Sequence, residues 1–381
     1  YAENLLQEAD DREAIVFRAE DRVEKRMTRR ELLSAVGSVQ RFLKSKNVGV
    51  GDRVAAMLPN CPEAIVMMLA TASLGAIWSS CSPDFGVRGV LDRFSQIEPK
   101  IFLCCDGYFY NRQRLSIRDK CVEILGSLPS VKAALVIELI GEANEVAISL
   151  PDAATYTKII SNVSDEGVHF ERFPFNQPLF ILFSSGTTGI PKCIVHGAGG
   201  TLLQHLKEHR LHSNNGRNDR VFYFTTLGWM MWNWLVSALA CQSTLILFDG
   251  SPFAPRPQFL FDYAEKERVS FFGTSAKYLD SCRKLDLTPA ETHTLSSLRT
   301  VASTGSPLAA ETFEWVYRAI KSNIHLASIS GGTDIVSCFV LGDPTSPVYA
   351  GEIQRPGLAM AVDIFDDEGH PLSSGKGELV C

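Results

Sequence analysis

Ser184-Ser185-Gly186-Thr187-Thr188-Gly189-Ile190-Pro191-Lys192 follows directly on the apolar run Pro178-Leu179-Phe180-Ile181-Leu182-Phe183, and Cys193-Ile194-Val195 comes next. A β-prone run on each side makes this stretch a connection between two strands. Its glycines let backbone N–H groups come close to an anion, and the hydroxyls of Ser184, Ser185, Thr187 and Thr188 add donors. Lys192 supplies a point charge suited to phosphate. The loop reads as a polyphosphate cradle. It is not the common P-loop, which ends in Gly-Lys-Ser/Thr and opens a helix. A bare Gly/Ser/Thr run would be a surface turn; the closing Pro-Lys and the flanking strands argue against that here.

Outward from this loop the chain alternates. Thr28-Arg29-Arg30-Glu31 is a capping box ahead of Leu32, Val36, Val39, Phe42 and Leu43, spaced for one helix face. Val54 to Leu58 is strand-like, and Pro62-Glu63 opens the next helix with proline in its favoured first turn. Ala76-Ile77-Trp78, Lys100 to Cys104 and Ala133 to Leu139 read as strands, and Arg114 to Leu128 as a helix. The stretch from about Gly141 to Asn176 is polar and irregular and reads as a connection between two α/β lobes. The pattern resumes with strands near Phe180, Val221, Leu245 and Phe271 and helices near Leu202 and Thr312. From Gly351 the texture changes: Val362 to Phe365 and Gly377 to Val380 flank Asp366-Asp367-Glu368-Gly369, which is hairpin chemistry. The expected fold is α/β, with two αβ-layered lobes in 1–350 joined around 141–176 and a partial β subdomain in 351–381.

The bulk properties agree with a globular enzyme-sized chain. Its 381 residues bury a sizeable core, and 45% hydrophobic with 21% charged residues is ordinary. A net charge of −6 argues against a nucleic-acid surface as its main business. Ten cysteines form no CxxC pair, so neither zinc spacing nor a disulfide framework appears. Reduced thiols and the lack of a signal-peptide pattern predict a cytoplasmic protein. The longest apolar stretch, Ala64 to Trp78, is too short to span a membrane.

Four segments carry a resemblance: Phe183 to Gly197 (FSSGTTGIPKCIVHG), Ala302 to Leu308 (ASTGSPL), Ser330 to Ile335 (SGGTDI) and Asp366 to Leu372 (DDEGHPL). They stand in the order found in adenylate-forming enzymes, and the chain resembles the acyl-CoA synthetase branch of that superfamily, most of all its acetoacetate-activating members. The resemblance implies two steps: a carboxylate attacks the α-phosphate of ATP to give an acyl-adenylate and pyrophosphate, then the thiol of coenzyme A displaces AMP. The alternatives are a synthetase for butyrate-like short acids and a nucleotide-binding module without turnover.

By the same resemblance, Ser184, Ser185, Gly186, Thr187, Thr188, Gly189 and Lys192 contact the ATP phosphates, with Lys192, Thr188 and Thr333 catalytic. Gly305, Ser306 and Pro307 lie along the adenine. Thr333 bonds an α-phosphate oxygen, and Asp334 holds Mg²⁺ where relatives carry a glutamate; its other reading is a helix N-cap. Trp229, Met230, Met231, Trp232 and Asn233 line the acid pocket opposite Ser330 and Gly331, with Asn233 or Ser330 as donor to a keto group. Acetyl-specific relatives carry tryptophan before their Thr-Glu pair, so an acid longer than acetate is expected, and Gly331→Trp should shift preference towards acetate. Arg112 marks the 3′-phosphate of coenzyme A; its other reading is a solvated helix start. His196 reads as the end of the loop hairpin rather than a base, and His205, His209 and His212 as a solvated helix face. The ribose-binding aspartate and a C-terminal mobile domain with its lysine should lie beyond Cys381, leaving this stretch weakly active or inactive alone.

Overall fold

A computed structural model describes residues 1–161, 167–184 and 189–381. Two seven-stranded sheets dominate it. In the first, the order is Lys192–Gly197, Pro178–Ser184, Ile77–Cys81, Arg53–Met57, Ile101–Cys105, Ala133–Ile137, Ala153–Thr155. All neighbours run parallel except the edge hairpin, in which Ser184 faces Lys192. The second sheet has the order His325–Ser328, Thr300–Thr304, Phe271–Ser275, Arg220–Tyr223, Thr244–Asp249, Glu13–Ala19, Val23–Thr28. Only its last pair is antiparallel.

The central strands Ile101–Cys105 and Ala133–Ile137 are buried along their whole length. Continuous apolar runs covered on both faces are the mark of parallel sheets. Helix Pro62–Ser73 has every residue buried and packs against strands of both sheets, which explains why the longest apolar stretch of the chain falls here. Among the described residues no helix is long and apolar enough to cross one. Along the second sheet, alternate residues enter different cores. Val221, Leu245 and Phe271 face the core shared with the first sheet, while Phe222, Ile246 and Phe272 face a second core under the outer helices. The capping box forms: the Glu31 N–H donates to Thr28 Oγ1 at 3.2 Å and the Thr28 N–H to Glu31 Oε2 at 2.7 Å, opening helix Arg29–Ser45. Such a cap contributes about 1 kcal/mol.

Three features differ from the sequence reading. Sheet membership crosses the stretch 141–176: residues 13–28 join the second sheet and residues 178–197 the first. Part of that stretch is itself ordered, as helix Ala143–Ser149, strand Ala153–Thr155 at the sheet edge and helix Tyr156–Ile160. Three residues of Ala-Ala-Thr carry too little pattern to announce an edge strand.

The expected helix from Arg114 begins only at Arg118. Before it, Gly107–Tyr110 and Gln113–Ser116 pair as a two-stranded hairpin whose tip, Asn111 and Arg112, has φ of 50° and 64°. Two consecutive left-handed residues are the signature of a tight hairpin turn. Arg112 is therefore at a hairpin tip, not a helix start.

The tail forms its hairpin as expected, Asp363–Phe365 pairing with Glu378–Val380.

Candidate active site

A cleft of about 490 Å³ opens where the second sheet ends. Three of the segments that line it carry the residues named from sequence. Strand Thr300–Thr304 runs out into Gly305-Ser306-Pro307, with Gly305 at φ 90°, a backbone that glycine adopts without strain. Trp229, Met230 and Met231 come from the start of helix Met230–Ser237. Ser330, Gly331 and Thr333 come from a hairpin, Ser330–Gly332 paired with Ser337–Leu341. Parallel sheets bind ligands at the carboxyl ends of their strands, and the cleft lies there.

Within this cleft the residues named from sequence divide. Trp229 is 69% exposed at the wall, and Met230 and Met231 complete that side. Trp232 and Asn233 do not line it. Trp232 is fully buried, stacks on Trp78 with ring centroids 6.1 Å apart, and donates from Nε1 to Asn60 Oδ1 at 3.1 Å. Asn233 is fully buried and its amide finds no partner among the described residues. Helical geometry separates the two groups within about one turn: successive residues point roughly 100° apart, so Met230 and Met231 reach the cleft while Trp232 and Asn233 turn into the core.

Thr333 and Asp334 sit in the tight turn of the hairpin, so Asp334 is not a helix N-cap. Asp334 is exposed and makes no ion pair with a described residue. No cluster of three or more metal-ligating side chains exists among the described residues. Gly331 is held by close approach of the facing strand. A Cβ there would stand 2.7 Å from Cys338 Cα and 2.9 Å from the Ser337 carbonyl carbon, and closer still to the Ser337 oxygen. The substitution Gly331→Trp therefore meets backbone before it can fill the cleft, which overturns the expected simple swap of specificity.

Of the phosphate-loop residues, Ser185, Gly186, Thr187 and Thr188 lie outside the described residues. Ser184 ends its strand, Lys192 opens the next and is exposed, and Gly189 has φ 114°. Arg112 is exposed at its hairpin tip. That tip is pinned by Glu20, a buried carboxylate that accepts the N–H of Asn111 at 2.6 Å, of Arg112 at 2.7 Å and of Ser251 at 2.9 Å.

The histidines are where the sequence reading misses most. His205, His209 and Glu208 have no exposed surface and His212 is buried, so this is no solvated helix face. Spacing of i, i+4, i+7 is one face of a helix, and the signal was present. Helix Ala198–Lys207 continues into a π-helical turn, Glu208–His212. Its buried face, together with His196 from the strand Lys192–Gly197 that precedes it, grips the Thr333 hairpin and the strand that leaves it. His205 Nε2 donates to Val336 O at 2.6 Å, His196 Nε2 to Thr333 O at 2.7 Å, and His212 Nδ1 to Gly342 O at 2.8 Å. Glu208 accepts from Ser337 Oγ at 2.5 Å, the Cys338 N–H at 3.1 Å and Trp234 Nε1 at 2.8 Å. Burial sets the charges. It pushes His205 down to about 4 and His209 to about 3, lowers His196 and His212, and raises Glu208 against the pull of its donors.

Comparison with known proteins identifies a family and several relatives. The profile of the family described as "AMP-binding enzyme" matches residues 2–381. Acetoacetyl-coenzyme A synthetase of Rhizobium meliloti (strain 1021) is 56% identical over 381 residues, covering 100% of this chain and 58% of the relative. Acetoacetyl-CoA synthetase of Gallus gallus is 46% identical over 387 residues, with the same coverage. Malonamoyl-CoA synthetase vrtB of Penicillium aethiopicum is 40% identical, with 100% of this chain and 56% of that protein covered. The solved acetoacetyl-CoA synthetase from Streptomyces lividans superposes with a TM-score of 0.94 at 41% identity, covering 100% of this chain and 58% of that one. The chain thus spans 58% of the length of the synthetase structure it resembles.

Proposed function

The chain belongs to the family of AMP-binding enzymes, and from that premise we propose that it is the nucleotide- and acid-binding part of an ATP-dependent ligase joining acetoacetate to coenzyme A. The cleft carries this reading: a glycine turn for a flat base, an apolar wall for an acid and a hydroxyl between them share one volume. Gly305, Ser306 and Pro307 lie along the adenine. Thr333 donates its hydroxyl to an α-phosphate oxygen. Trp229, Met230 and Met231 face the acid chain.

The acids in the relatives' names share a second carbonyl beyond the carboxylate. In this chain the cleft hydroxyl of Ser330 is the donor for it; Asn233 stands off the wall. Lys192, with Ser184, Ser185, Gly186, Thr187, Thr188 and Gly189, holds the phosphates. Catalysis needs no protein nucleophile. The carboxylate oxygen attacks the α-phosphorus, pyrophosphate leaves, and the coenzyme A thiol then takes the acyl carbon with AMP as leaving group. The protein's task is in-line placement and charge neutralisation. Mg²⁺ adds neutralisation when bound; the exposed Asp334 suits a cation that takes one carboxylate and fills its other positions with phosphate and water. Arg112 meets the 3′-phosphate of coenzyme A.

The test is acid-dependent pyrophosphate release by the intact protein with acetate, butyrate and acetoacetate. Acetoacetate should give the highest kcat/KM, and Lys192→Ala should lower the rate roughly 10²–10³-fold, as loss of one transition-state donor does. Release that ignores the acid, or a Lys192→Ala protein with unaltered rate, refutes the reading.

A further inference from the structure

The Thr333 turn is gripped from behind at both ends. His196 Nε2 reaches Thr333 O at 2.7 Å and His205 Nε2 reaches Val336 O at 2.6 Å. A carbonyl oxygen only accepts, so each ring must carry its proton on Nε2. The His205 Nδ1 is then a buried lone pair, and it has no partner among the described residues. Val336 lies at φ 51°, a costly backbone for a β-branched residue. The His205 bond lands on the carbonyl of that strained residue. His196 belongs to the strand that opens at Lys192, so one piece of sheet ties the loop lysine to the turn.

We propose that His196 and His205 are positioning residues for Thr333, holding its turn at both ends so that the hydroxyl keeps its place against the α-phosphate during adenylate formation. This rests on the reading of Thr333 as a nucleotide contact. Neither histidine touches substrate. Each acts through a main-chain carbonyl of the turn, and strain at Val336 gives the turn a reason to relax once a grip is lost. A shift of about 1 Å at such a group typically costs on the order of 10²-fold in rate.

The experiment uses the intact protein and four variants: His196→Leu, His196→Gln, His196→Asn and Thr333→Val. A glutamine N–H₂ can reach the carbonyl that His196 Nε2 reaches; asparagine is too short, and leucine has no donor. His196→Leu and His196→Asn should lower kcat for acid-dependent pyrophosphate release by about 10–10²-fold with little change in KM for ATP. His196→Gln should recover most of the rate, and its melting temperature should match that of His196→Asn. If His196→Leu does not fold, the Gln–Asn pair makes the same comparison. Equal rates in Gln and Asn, or a loss confined to KM, overturn the proposal. An unchanged rate in Thr333→Val instead refutes the nucleotide role of Thr333, and that outcome is read separately.

Discussion

Replacing Gly331 by alanine adds one methyl group at the most crowded glycine of the cleft. That Cβ would lie 2.7 Å from Cys338 Cα and 2.9 Å from the Ser337 carbonyl carbon. Both atoms are backbone, so no side chain can swing away. The facing strand is also fixed from its other side, where Glu208 holds Ser337 Oγ and the Cys338 N–H. Overpacking of this kind costs about 1–3 kcal/mol, which for a chain of this size lowers the melting temperature by roughly 1–4 °C. The neighbouring Gly332 is the control: its nearest would-be contacts are Phe339 at 3.8 Å and Asp334 at 3.9 Å, ordinary distances. Thermal melts of Gly331→Ala and Gly332→Ala should therefore separate, and only the first should also displace Ser330 and lower kcat/KM for acetoacetate. Two variants that melt together with the unmodified protein would refute the hairpin register on which the cleft wall depends.

Two more predictions concern charge. Burial holds His209 neutral with a folded value of about 3 against an ordinary value of 6.5. As pH falls through 6.5 the unfolded chain takes up a proton that the folded state refuses, so stability is lost on the acid side, by roughly 1.4 kcal/mol per pH unit until the folded value is reached. The difference in stability between the unmodified protein and His209→Gln, from urea titrations at pH 6.5 and pH 5, should shift by about 1.6 kcal/mol in favour of the variant on acidification; a constant difference would show that His209 titrates in the folded state. Arg112→Ala should raise KM for coenzyme A and leave KM for its 3′-dephospho form alone. An unchanged ratio of the two constants removes Arg112 from the thiol-substrate site.

What the sequence makes legible is local chemistry. An apolar run, a hydroxyl-rich loop and a second β-prone run read as two joined strands, and Thr28 with Glu31 as a helix start; both are there. Gly305 to Pro307 and Thr333 are separable from ordinary turns only through resemblance, and the cleft gathers them. The misses have physical causes. Nothing in the chemistry of Arg112 itself asks for φ 64°; Glu20, remote in sequence, compensates with hydrogen bonds to that tip. The histidines look wet in the sequence because their partners are main-chain carbonyls, which carry no signature there. Trp232 and Asn233 follow their neighbours into the cleft only on paper, since one helical turn decides which way each points.

The crossing of sheet membership constrains how the chain comes into being. Ile15 finds its partner at Leu245, on the far side of the whole first sheet, and that sheet in turn is closed by the hairpin 178–197. As the polypeptide leaves the ribosome, the β-ribbon 13–28 cannot pair with strand Thr244–Asp249 until those residues have been made. Pairings so distant in sequence are slow to form and leave sticky edges exposed meanwhile. A cut after residue 197 would leave the first sheet whole but would divide the strands of the second between the two pieces, so the second sheet needs both halves of the chain.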